Sequence, residues 1–192
     1  QAIEPNWRDG LGDSVEFETP LLDFDTGAIN PTLGREFFSS KRQHDWFLKD
    51  RTAIEAFRAF LVRRAGRRVA FYSPTFRRDF ELLSDLTSGS TSMLVKDNLD
   101  AGLVRGKTTH QHLEILLWSG VRLRFSIATS LSNGNGTMNL SVGTPFAASY
   151  TKDKIRRISY LPLSRLAEDE VEIRWHDRNV AEATTVHTEV AQ

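Results

Sequence analysis

His110 and His112 are the two residues best spaced to hold a metal ion. On a strand, residues two apart share a face, so both imidazoles would point the same way. A metal centre needs three or four ligands, and no third is indicated nearby, so two surface histidines beside a loop is the plainer reading. Acids recur at Glu16, Glu18, Asp23 and Asp25. A pair of carboxyls flanking a sugar would serve glycoside hydrolysis, but acids alternating along a strand more often form its wet face. Ser130, Ser132, Ser141 and Ser164 lie in no nucleophile-elbow pattern. Asn133-Gly134-Asn135-Gly136 opens no helix and so makes no phosphate cradle. Asn139-Leu140-Ser141 fits the glycosylation tripeptide, which arises often by chance. Of the four tryptophans, Trp46, Trp118 and Trp175 sit at expected strand ends, where the rim of a core is the ordinary role. Exposed aromatics can also stack sugars or fill an interface, and Trp7 is the best candidate for anchoring onto a neighbour. These residues carry no catalytic signature, so we expect no enzyme, no metal and no cofactor.

The elements that would position these side chains are mostly strands. Val15, Phe17 and Thr19 alternate with Glu16 and Glu18, and Pro20 ends that strand or confines it to an edge. A strand is predicted from Arg35 to Leu48, with the polar stretch Ser39 to Gln43 as a break point. One helix follows at about 52–64. Thr52-x-x-Glu55 is a capping box, Asp50 a competing N-cap, and Ile54, Phe57, Phe60 and Leu61 form an apolar stripe. Arg63 and Arg64 suit the last turn, and Gly66 suits a left-handed C-cap. Strands are expected at Val69 to Pro74 and Phe80 to Leu83, and residues 84–112 read as a flexible polar loop or insertion. Leu113 to Trp118 and Val121 to Ile127 then form a hairpin over a two-residue Ser119-Gly120 turn. Asn133 to Gly136 carries type I′ chemistry leading into Met138 to Val142. Further strands run from Arg156 to Leu161, Val171 to Trp175 and Val180 to Val190, with Asn179 in a turn. The total, roughly nine to eleven strands and one helix, predicts a mainly β, antiparallel β-sandwich or barrel with the helix flanking one side.

A chain of 192 residues fits a single domain over 1–192, and its 40% hydrophobic content is ordinary for a globular protein. Lys plus Arg and Asp plus Glu balance at 25 each, so no specific nucleic-acid binding is expected. Basic residues do cluster locally, at Arg63, Arg64, Arg67 and Arg68, at Arg77 and Arg78, and at Lys152, Lys154, Arg156 and Arg157. Solvated element ends are their ordinary role; a polar face meeting an acidic partner subunit is the sharper one. There is no Cys, which excludes a disulfide framework and suits a reducing cytosol. No apolar run reaches the roughly 18 residues of a membrane span. The start at Gln1, with neither an initiator Met nor a signal-peptide pattern, suggests a part of a longer chain.

Three stretches together resemble the distal tail or tail-tip (baseplate-type) structural proteins of long-tailed bacteriophages. The first is Pro5-Asn6-Trp7 followed by Glu16-Phe17-Glu18-Thr19. The second is Trp46-Phe47-Leu48, the helix with Ala56-Phe57-Arg58-x-Phe60-Leu61, Gly66, and Pro74-Thr75. The third is Ile158 to Leu163, Arg165-Leu166 and Asp169 to Ile173. The resemblance covers about half the chain. It implies a sandwich related to the tail-tube fold, forming the C-terminal part of a longer chain. It also implies a non-enzymatic virion protein, assembled in the host cytoplasm, that joins tail tube to tip as a homo-oligomeric ring with other tail proteins. The stretch from Leu86 to Gln111 has no counterpart in it. On that reading Trp7, Arg122, Arg124, Arg156 and Arg157 are the candidate interface residues. A carbohydrate- or receptor-binding module on the same sandwich is the alternative.

Overall fold

The computed structural model describes residues 4–6, 12–16, 21–23, 29–31, 39–98 and 110–190. In chain order it begins with β1 (Gly12–Glu16), β2 (Leu21–Asp23), β3 (Ile29–Pro31) and β4 (Ser39–Leu48), then α1 (Arg51–Arg64) and β5 (Phe71–Tyr72). β6 (Ser92–Lys96), β7 (His112–Leu117), β8 (Arg122–Ser132), β9 (Thr137–Val142) and β10 (Ile155–Tyr160) follow. β11 (Leu163–Leu166), β12 (Ile173–Asp177) and β13 (Val180–Glu189) complete it. The architecture is thus mainly β, with antiparallel sheets and one helix, as the sequence predicts. The chain divides into two compact units, one of residues 1–71 and 164–190, the other of 72–163 with 191–192.

The first unit is built on the sheet β1-β4-β13-β11-β5, with β12 also on β13. β4 is continuous through Ser39 to Gln43, where the sequence suggests a break. The polar residues there alternate like any strand: Ser40, Arg42, His44, Trp46 and Leu48 are buried, while Gln43 and Phe47 face outward. The helix forms as predicted, but its caps differ. The Asp50 carboxylate accepts from the Ala53 amide at 2.7 Å, so Asp50 and not Thr52 is the N-cap. At the other end Ala65 takes the left-handed conformation before Gly66 does, and its N–H reaches the Leu61 and Val62 carbonyls. Ile54 and Phe57 are buried. Phe57 meets Trp46 at 5.8 Å between centroids, which seats the helix on β4. Val62, by contrast, is 79% exposed, so the apolar stripe does not use every apolar residue of the helix.

The second unit carries the sheet β10-β7-β8-β9-β6. β8 pairs β7 through its first half and β9 through its second, with a register shift between Ile127 and Thr129. Such an irregularity bends a long strand and lets one sheet curl on itself. The two edges are then joined by a short segment: Phe80 bridges Ile158 of β10, and Leu82 bridges Val95 of β6. The Phe80 N–H donates to the Ile158 carbonyl, Leu83 N–H to Leu94, and Lys96 N–H to Glu81. The result is a small closed barrel around Phe80, Met93, Ile115, Met138 and Ile158, all nearly inaccessible. Closure satisfies the edge amides that an open sheet leaves exposed.

Much of the predicted polar loop at 84–112 belongs to this barrel. Leu86 exchanges two hydrogen bonds with Tyr150, and β6 buries Met93 and Val95. The alternation Met93, Leu94, Val95 is masked in sequence by its Ser, Thr and Gly neighbours; residues 99–109 lie outside the described residues. Both predicted hairpins form, with different turns. At β7–β8 the Gly120 N–H donates to Leu117 and the Leu117 N–H to Val121, leaving a three-residue loop with Gly120 at φ +84°. That is the geometry of a turn closed by a glycine bulge, not the two-residue turn predicted. At β8–β9 only Gly134 and Gly136 have positive φ, so two consecutive left-handed residues, the mark of type I′, do not occur.

Candidate functional site

The first unit holds a buried polar layer. β4 and β13 pair so that Arg42 faces His187 and His44 faces Thr185. Arg42, His44, Thr185, His187 and Glu189 are all buried. Arg42 donates to Glu189 and lies 3.8 Å from Asp13 of β1. The Trp46 indole N–H donates to Thr185 Oγ1 at 2.8 Å, and that hydroxyl sits 3.0 Å from His187 Nε2. An indole N–H can only donate, so the hydroxyl accepts from Trp46, and its direction towards the imidazole follows the His187 tautomer. The rings of His44 and His187 meet edge-on at 4.5 Å. Burial, aided by the Arg42 charge, lowers His44 to about 4; Asp45 and Asp13 pull weakly the other way. Burial first, and then His44 and Arg42, hold His187 well below its ordinary range. Both rings are therefore neutral at pH 7.

A hydroxyl beside an imidazole is the pairing used in nucleophilic catalysis. Thr185 is 2% exposed, however, and no substrate reaches it. Trp46 and Phe71 close over the layer, the Phe71 ring 5.0 Å from that of His187. The arrangement ties β4 to β13 and aligns their register. Sequence reasoning missed it, although Arg42-x-His44-x-Trp46 and Thr185-x-His187-x-Glu189 both place polar groups two apart on one strand face.

The predicted interface residues have separate environments. Trp7 lies outside the described residues. Arg122 and Arg124 both grip the buried Glu114, at 2.8 and 3.1 Å, so they neutralise a carboxylate across the β7–β8 pair. Arg157 is buried rather than displayed. It stands over the Phe76 ring and donates to the Phe76 carbonyl, clamping a turn in which Phe76 has φ +58°. Arg156 is half-buried, stacked over Trp118 at 5.6 Å, while Arg124 keeps a side chain 59% exposed beside Glu114.

Trp118 is 66% exposed, on the β7–β8 turn, where its backbone N–H donates to the Lys154 carbonyl. Val121 beside it is 49% exposed. Arg78 donates to the Arg156 carbonyl, and Lys152 and Lys154 are exposed nearby in sequence. The tip is therefore an aromatic and cationic platform. The two histidines do not act together: His110 packs edge-on to Tyr160 at 4.9 Å, while His112 contacts Tyr72 at 4.8 Å. Among the described residues no helix is long and apolar enough to cross a membrane.

The chain matches no protein-family model, and no curated protein is similar to it.

Proposed function

We propose that this chain is a non-enzymatic structural protein of a bacteriophage tail tip, acting by self-association and contact with other tail proteins in the virion. The observation that supports it best is the display of Trp118, Val121 and Leu131 at hairpin ends, exposed by 66, 49 and 67%. Large exposed apolar groups at hairpin ends, Trp118 with Arg156 stacked on its ring, suit burial against another protein surface. A framework with its ionisable groups spent internally, as at Glu114 and Glu189, suits a building block. Sedimentation over a range of concentrations, with mass spectrometry of purified particles, tests the reading. A chain that stays monomeric at high concentration and is absent from virions refutes it.

A carbohydrate-binding module is the second reading, favoured by the exposure of Trp118 and Trp175, which is 47% exposed. Glycan screening that finds a ligand, lost on replacing either tryptophan without unfolding, would support it instead.

A further inference from the structure

The formal charge of zero hides a polarity between the two units. The first carries fourteen Lys and Arg against eighteen Asp and Glu, and the second eleven against seven. In the first unit the acidic excess falls in residues 164–190, which hold three cations and seven acids. There the sheet is split: β11 covers one end of β13 and β12 the other. Between them lies a groove of about 340 Å³, with Leu166, Val171, Ala183 and Val186 among its walls and Glu168, Glu170, Glu172 and Glu182 around it. Arg174 also lines it, 3.9 Å from Glu172, and His176 bonds Glu182 at 2.9 Å, so carboxylates remain in excess.

The second unit presents the complementary object. Trp118 projects from a tight turn with Val121 beside it, and Arg156 is stacked on the indole. An aromatic side chain carrying a stacked arginine fits a groove with apolar walls and an acidic rim, and it can bury about 150–250 Å² on docking. Both surfaces belong to the same chain, and they differ from each other. A contact between them in two copies is head-to-tail and repeats, giving a ring if the rotation closes.

We infer that the Trp118–Arg156 tip of one copy docks in the acidic β11–β12 groove of a second copy. This rests on the self-association reading above and names the surfaces that would carry it. The contact is held by opposite charges around an apolar anchor, so it weakens as salt rises.

A charge swap tests it. Arg156→Glu with Lys154→Glu gives an acidic tip beside an acidic groove, and Glu170→Arg with Glu172→Arg leaves two glutamates against three arginines, a basic groove beside a basic tip. Each variant alone should associate at least about tenfold more weakly than wild type in sedimentation. Mixed one to one, every unlike contact is complementary and every like contact repulsive, so assembly should return with alternating copies. Trp118→Ala should weaken association with the melting curve unchanged.

If wild type assembles and the separate variants assemble equally well, this interface is wrong while self-association stands. If the mixture fails to restore what the separate variants lost, the pairing of these two surfaces is wrong. If Trp118→Ala abolishes glycan binding and leaves assembly intact, the tip belongs to the carbohydrate reading. A wild-type chain that is monomeric throughout and absent from particles overturns both this inference and the function it rests on.

Discussion

Lowering the pH from 7 to 5 should destabilise the first unit by about 2 kcal/mol through His44 alone. His44 titrates at about 4 when folded, against 6.5 when unfolded, because burial and Arg42 disfavour the imidazolium. Between those values the unfolded chain binds the proton and the folded one does not. Stability is therefore fully present above the unfolded value and is lost as pH falls towards the folded one. At pH 5 the difference is worth about 2 kcal/mol, and once both states are protonated about 3 kcal/mol. His187 is shifted in the same direction and adds to the loss. Urea unfolding at the two pH values, followed by tryptophan fluorescence, measures it; with a slope near 2 kcal/mol per molar the midpoint should move by about 1 M. His44→Phe removes one titration and should flatten the dependence, whatever it does to stability at pH 7. A wild-type midpoint unchanged between pH 7 and 5, or a folded-state imidazole titrating near 6.5 by NMR, would refute the reasoning.

Other perturbations act on single packing features. Gly66→Ala should cost about 1–2 kcal/mol in thermal unfolding, since φ is +63° and a Cβ there would stand 2.3 Å from Asp169 Oδ1. That carboxylate accepts from the Arg67 amide at 2.8 Å and meets its guanidinium, so Asp169→Ala should loosen the same corner. Glu114→Ala removes the buried carboxylate on which Arg122 and Arg124 converge and should cost about 3 kcal/mol by urea titration. Phe80→Ala should cost about 3–5 kcal/mol and speed hydrogen exchange at the Leu83 and Lys96 amides, whose bonds join the barrel edges. Trp118→Ala, at an exposed turn, should leave stability within about 0.5 kcal/mol.

The sequence by itself determined much of the local grammar: most of the strands though not β6 or β11, one helix at about 52–64, and where the two hairpins fall. Those are properties of near neighbours, expressed in alternation, caps and glycine placement. Alternation also contained the polar rows of β4 and β13, but a row of polar residues reads equally as a solvated face. Only the register of Arg42 against His187 and His44 against Thr185, set by strands over a hundred residues apart, makes that face interior. The same holds for charge. Arg122, Arg124, Arg156 and Arg157 look alike along the chain, yet one pair neutralises Glu114, another residue braces the Phe76 turn, and Arg156 alone reaches a displayed aromatic. His110 and His112, two apart and apparently a pair, are held by different aromatic partners. Long-range pairing decides whether a side chain meets water, a counter-charge or a ring, and no periodicity within a strand carries that information.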